Sequence, residues 1–191
     1  MGPCGTGDAV TRLHPSTLAA LPADVARPRY DRAALRLGIV HLGVGAFQRA
    51  HLAAATEAVL HSAGDLRWGI AGVSLRHADT RDALQPQAGL YTLALRDTDA
   101  DGAPREQLQV IGAMPQLRVA PESPQAVLER IAHADTRILS LTVTEKGYHH
   151  DPASGALRLD DADIAHDLGH AEAPRTTIGF IVRGLHLRFR R

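Results

Sequence analysis

Apolar positions along the chain switch between two periods. Leu37 to Leu42 is a near-continuous apolar run, as expected of a strand buried on both faces. Gly43 and Gly45 follow it. From about Phe47 to Ala63 the pattern turns helical, with Leu52, Ala55, Thr56 and Val59 on one stripe and Gly64 at the C-terminal stop. Arg67 to Leu75 reads as a second strand, so the spacing is that of a βαβ unit with a right-handed crossover. His77 to Leu84 predicts a short helix that ends before Pro86. Leu90 to Arg96 and Glu106 to Ile111 flank the polar run D-T-D-A-D-G-A-P and predict a hairpin. Ser123 and Pro124 are an N-cap and a first helical residue, with Val127, Leu128 and Ile131 as the buried face behind them. Arg137 to Val143 predicts another buried strand, ending at Thr144 to Tyr148. After a polar, Asp-rich segment, Ile178, Ile181, Val182, Leu185 and Phe189 mark the apolar face of a last helix.

These elements predict an α/β fold: a Rossmann-like, doubly wound, mostly parallel sheet with an inserted β-hairpin, over residues 36–191. Residues 1–35 are rich in Pro, Ala and Arg and weakly periodic. They predict an arm packed over the domain, with a helical turn near Ser16 to Ala20. There is no internal repeat.

Composition narrows the function classes. At 191 residues the chain suits one domain, or one domain and a fragment. Only 4% of residues are aromatic, so Ala, Leu, Val and Ile must fill its core. A formal net charge of zero gives no reason to expect a nucleic-acid or membrane-surface partner. Cys4 is the single cysteine, which excludes an internal disulfide and points to a reducing, cytoplasmic setting. No apolar run has membrane-spanning length. The opening M-G-P-C-G-T fits a myristoylation pattern formally, but a proline beside the acceptor glycine argues for coincidence.

The candidate chemistry sits where the first strand meets the first helix. A strand that turns sharply into a helix gathers backbone N–H groups and the positive end of a helix at one point, which suits a pyrophosphate. Gly43 permits the tight turn, and Gly45 lets phosphates approach the backbone. Gly43, Val44, Gly45, Ala46 and Phe47 are therefore candidate dinucleotide contacts, with Arg49 as a nearby charge. Gln48 stands at the third glycine of the usual fingerprint, and a turn that merely joins strand to helix gives the same pattern. At the end of the second strand, Asp79 would select NAD through the ribose, whereas Arg76 would accept the 2′-phosphate of NADP. Thr144 and Glu145 end a parallel strand, where they would line the nicotinamide end or serve as a strand cap.

The run I-V-H-L-G-V-G-A-F-Q-R-A-H at Ile39 to His51, together with L-T-V-T-E-K-G-Y at Leu141 to Tyr148, resembles the mannitol dehydrogenase family of polyol-specific long-chain dehydrogenases. Trp68-Gly69-Ile70 and Gly89-Leu90-Tyr91-Thr92-Leu93 agree with it. Gln48 departs from the histidine usual there. The resemblance implies NAD as cofactor and hydride transfer between nicotinamide and a sugar alcohol or keto-sugar acid. It also implies an N-terminal Rossmann domain followed by a mostly helical domain that carries a catalytic lysine, with asparagines holding the reacting oxygen. This chain has no asparagine, and Lys146 is its one lysine. It therefore resembles the cofactor half of such an enzyme, truncated at its C-terminal end, with the helical domain absent and no catalytic residue assigned. The expectation is dinucleotide binding without turnover. Alternatives are a non-catalytic nucleotide-binding module, a remnant that needs a partner, or a product that folds poorly.

Several polar clusters are weighed against this. Asp97, Asp99, Asp101 and Gly102 copy the start of an EF-hand loop, but Leu108 occupies the position that needs a bidentate glutamate. His166 and His170 have zinc-pair spacing without an evident third ligand. His149 and His150 read as a polar loop, His41 as a core histidine bonded to backbone, and His51 as a neighbour of the glycine turn. No metal site is assigned.

Overall fold

The structure is a computed structural model that describes residues 12–190. Cys4 and the Met1–Gly2 opening lie outside the described residues. Four parallel strands form the central sheet: β1 (Ile39–Leu42), β2 (Ile70–Ser74), β5 (Gln116–Val119) and β6 (Ile138–Leu141), in the order β5-β2-β1-β6. Between β2 and β5 comes an antiparallel hairpin, β3 (Tyr91–Thr98) with β4 (Pro104–Ile111), which forms a separate two-stranded sheet. Helices α1 (Ala46–Ala50), α2 (Leu52–Ala63), α3 (Asp79–Leu84), α4 (Pro124–Ala132), α5 (Ala162–Gly169) and α6 (Thr177–Phe189) complete the fold.

Alternation along β1 and β2 explains the two layers. Ile39 and Ile70 pack with Ala53 and Leu60 of α2 on one face, while Val40, Leu42, Ala71 and Val73 pack with Val127, Leu128, Ile131 and Phe180 on the other. A sheet covered on both faces needs apolar residues at every position, and β1 and β2 are buried throughout. The doubly wound, mostly parallel sheet is as the pattern predicts. The arm touches the domain at two points: Ala26 exchanges main-chain hydrogen bonds with Leu108 and Val110 of the hairpin, and Arg32 donates to the carbonyls of Gly112 and Ala88.

Four expectations need correction. The predicted helix from Phe47 to Ala63 is two helices broken at His51, whose φ of −114° and ψ of −72° leave the regular helix. The Tyr91 hydroxyl donates to the Arg49 carbonyl beside the break at 2.7 Å, taking up an acceptor that a continuous helix would offer to Ala53. The buried stripe consequently falls on Ala53, Thr56, Glu57 and Leu60, and Val59 is exposed. The second correction is β5, which the sequence pattern did not reveal, because its short Q-L-R-V run mixes polar and apolar residues.

The third concerns β6. It was expected to be buried, but it pairs only with β1 among the described residues, and Ile138 is 44% exposed. The fourth concerns α6. Its predicted apolar face is split: Ile181 packs against the core, whereas Val182 and Leu185 are exposed and Phe189 is 96% exposed. The helix packs through Phe180 and Gly184, where a Cβ would meet the side chain of Ile131 at 2.5 Å. The small residue lets α6 approach α4 closely, so that Phe180, Ile181 and Leu187 reach the core beside it.

Candidate functional site

The strand order reverses at β1. Its connection leads to β2 on one side, whereas β6 pairs on its other side after the chain has crossed from β5. Open α/β sheets leave a crevice outside the C-terminal ends of the strands at such a point. A cleft of about 820 Å³ lies there. It is bounded by Gly43 to Gly45, by Ser74 to His77 with Asp79 and Thr80, by Thr142 to Thr144, and by Arg175 to Thr177.

The glycine turn has the geometry its residues predict. Gly43 has a φ of +97°, and a Cβ on it would meet the Thr142 carbonyl oxygen at 2.2 Å. Only glycine fits both the torsion and the approach of β6. Gly45 is the N-cap of α1, with extended torsions and no side-chain cap, and nothing lies within 4 Å of where its Cβ would be. The first-turn amides of Ala46, Phe47 and Gln48 have no acceptor within the helix, and open space stands in front of Gly45. An anionic group can approach the main chain here.

The structure brings some of the expected residues together and separates others. Gly43, Val44, Gly45, Asp79 and Thr144 line the cleft. Ala46 and Phe47 follow the turn without lining it, and the Phe47 side chain is 65% exposed and packs on His51 with ring centroids 4.4 Å apart. Arg49 reaches back to the Val44 carbonyl at 3.5 Å and does not line the cleft. Glu145, with Lys146, lines a neighbouring cavity of about 1140 Å³ that shares Arg76, His149 and Asp163 with the cleft.

His41 was expected to bond to backbone. Its Nδ1 also lies 2.8 Å from the Ser140 hydroxyl, and burial pushes its pKa down to about 4 against the opposing effect of the Gly43 backbone. His149 is more than a polar loop residue: its Nδ1 lies 3.1 Å from Asp161, and it borders both cavities. His166 and His170 stack on each other 4.5 Å apart, and Asp99 accepts the amides of Asp101 and Ala103 in its own turn. Gln48 is fully buried, with no partner for its amide among the described residues.

Sequence reasoning missed Ser74, Thr80 and Arg175 to Thr177 as lining residues. The last group carried a legible signal: Pro-Arg-Thr-Thr before an apolar periodic run is a helix start. Thr176 is indeed the N-cap of α6. The hydroxyls at Ser74 and Thr80 gave no such signal, because nothing local marks which polar residue at a strand end faces a cleft.

A family model described as the Mannitol dehydrogenase Rossmann domain matches residues 37–191. The chain belongs to the mannitol dehydrogenase family. A mannitol dehydrogenase of Saccharomyces cerevisiae is 40% identical over 186 residues, covering 95% of this chain and 36% of that protein. The mannitol 2-dehydrogenase of Pyrenophora tritici-repentis is 40% identical over 175 residues, covering 91% of this chain and 30% of its own length. Among solved structures, Pseudomonas fluorescens mannitol 2-dehydrogenase, in a ternary complex with NAD and D-mannitol, superposes with a TM-score of 0.86. It is 39% identical, over 93% of this chain and 36% of that one. A D-sorbitol dehydrogenase in substrate-free form superposes at 0.83 with 36% identity, over 94% of this chain and 37% of that one. This member of the mannitol dehydrogenase family thus spans about a third of the length of these relatives. No helix among its described residues is long and apolar enough to cross a membrane.

Proposed function

We propose that this chain is the dinucleotide-binding domain of an NAD-dependent oxidoreductase that moves a hydride between nicotinamide and a sugar alcohol or keto-sugar acid. We further propose that the 191-residue chain binds NAD and does not turn substrate over by itself. The observation that carries the reading is the glycine turn at the reversal of strand order, with uncapped first-turn amides and open space at Gly45. The Pseudomonas relative, described with NAD and D-mannitol, supports both ligand classes.

NAD supplies the hydride acceptor when bound. In this reading the chain's own work is holding and orienting. Gly43 to Gly45 and the following amides take the diphosphate, and Asp79 takes the adenosine ribose. Thr144 borders the nicotinamide end, with Glu145 just beyond it. Holding the reacting carbons together removes much of the entropic barrier. Alcohol oxidation also needs a base for the hydroxyl proton and donors for the developing alkoxide. Lys146, the only lysine, is exposed and borders the neighbouring cavity, and the chain has no asparagine. These facts support binding without turnover, and the single cysteine supports a cytoplasmic setting.

Calorimetric titration with NADH, beside turnover assays with mannitol plus NAD and fructuronate plus NADH, tests the proposal. Saturable NADH binding with no turnover is expected. Absent binding would refute the site, and clear turnover would refute the division of labour.

A further inference from the structure

The cleft has a wall that the glycine turn does not supply. Arg175, Thr176 and Thr177 line it at the start of α6, a helix of 13 residues. Most polar groups at this helix start are already engaged. The Thr176 hydroxyl accepts from the Gly179 amide at 2.9 Å and donates to Asp167 at 2.7 Å. Asp167 also accepts the amides of Arg175 and Thr176. Burial pushes the Asp167 carboxyl up, but the Thr176 hydroxyl and these amides outweigh that effect and hold it below the usual carboxylate range.

The Thr177 hydroxyl and the N–H groups of Thr177 and Ile178 remain over. The two amides have no acceptor within the helix. Thr177 is 5% exposed and lines the cleft, yet its hydroxyl makes no hydrogen bond among the described residues. The hydroxyl is open to the cleft, so a group entering the cleft can take it up as a hydrogen-bond partner. Arg175 lines the same cleft, with Asp163 as a carboxylate neighbour of its guanidinium at 3.8 Å.

We infer that the start of α6 is a second binding element for the diphosphate bridge of the dinucleotide, acting through the Thr177 hydroxyl, the Thr177 and Ile178 amides and the Arg175 side chain. The inference rests on the reading of the cleft as a dinucleotide site and adds residues to it. Topology supplies the reason. The glycine turn feeds α1 and α2 on one face of the sheet, whereas α6 packs through Phe180 on the other face, over Val40 and Leu42 of β1. A diphosphate lying over the end of β1 is therefore reached from both faces. Helix N-termini favour anions. The charges of Asp167 and of Asp163, which also lines the cleft, oppose this, but Asp167 is already bonded to several donors and Asp163 is faced by Arg175.

Calorimetric titration of the 191-residue chain with NADH, ADP-ribose and AMP tests the inference, using wild type beside Thr177→Val, Thr177→Ser and Arg175→Gln. Thr177→Val should weaken NADH and ADP-ribose roughly tenfold, as loss of a hydrogen bond to a charged group does. Thr177→Ser should bind like wild type. Arg175→Gln should weaken both ligands by about threefold, an effect that shrinks with added salt. AMP, which has no diphosphate bridge, should bind all four proteins equally. If wild type binds NADH and Thr177→Val matches it within about twofold, this inference fails alone. An equal loss for AMP overturns it too. A wild type that does not bind NADH overturns the dinucleotide reading beneath it. Arg175 is exposed, so an unchanged Arg175→Gln affinity overturns the inference even if Thr177→Val fails to fold.

Discussion

Two glycines, two residues apart, should fail in opposite ways when each becomes alanine. At Gly43 the φ of +97° is one that an L side chain rarely adopts, which alone costs about 1–2 kcal/mol. The added Cβ would also sit 2.2 Å from the Thr142 carbonyl oxygen. That oxygen belongs to the main chain just past β6, and the Thr142 amide donates to Leu42 at 2.9 Å. The clash is therefore relieved only by moving the strand end, not by rotating a side chain. Together these effects should reduce stability by about 2–4 kcal/mol. Gly45 has torsions open to alanine, and its Cβ would enter empty space at the cleft mouth. Gly45→Ala should unfold within about 0.5 kcal/mol of wild type while weakening NADH at least about tenfold. Urea unfolding with unchanged m values measures the first effect, and calorimetric titration measures the second. A Gly43→Ala loss below about 1 kcal/mol would refute the steric argument. Gly45→Ala binding at wild-type affinity would show that the ligand does not approach this main chain.

Other perturbations read the packing. Tyr30→Phe removes the phenol that donates to the buried Glu57 carboxylate at 2.8 Å, so unfolding should cost about 1–3 kcal/mol less than in wild type. Phe180→Ala should destabilise by about 3–5 kcal/mol, whereas Val182→Lys on the outer face of the same helix should change stability by less than about 0.5 kcal/mol; calorimetric melting separates them. His41 carries a pH prediction. Its folded pKa of about 4 lies below the unfolded 6.5, so the unfolded chain binds the extra proton first. Stability should fall as pH drops from about 6.5 towards 4, by about 3 kcal/mol in all. A His41→Asn chain whose urea midpoint keeps the full wild-type pH dependence across that window would contradict this origin.

Much of the fold was legible in local pattern. The apolar runs of β1 and β2, the Ser123–Pro124 helix start, the hairpin and the Gly64 stop each carry their cause within a few residues. The glycine turn was legible for the same reason, since its torsion and its clearance are properties of Gly43 and Gly45 themselves. The family resemblance then tied that turn to Leu141–Tyr148, far away in the chain. What escaped was whatever depends on a distant neighbour. The break at His51 coincides with a bond from Tyr91, the inward face of α6 follows Ile131 meeting Gly184, and the exposure of Ile138 follows from which strands lie beside β6.

The sequence by itself determined the element types, the phosphate-suited turn and the absence of asparagine, because propensity, torsion and composition are local quantities. Only the tertiary structure decided that Asp79 and Thr144 face one cleft with the glycine turn while Glu145 faces the next, and that Ser74 and Arg175 to Thr177 join the cleft. Which side chains converge is set by strand order and by the faces on which helices pack. Those are outcomes of burying apolar surface across the whole chain, and no short window of residues contains them.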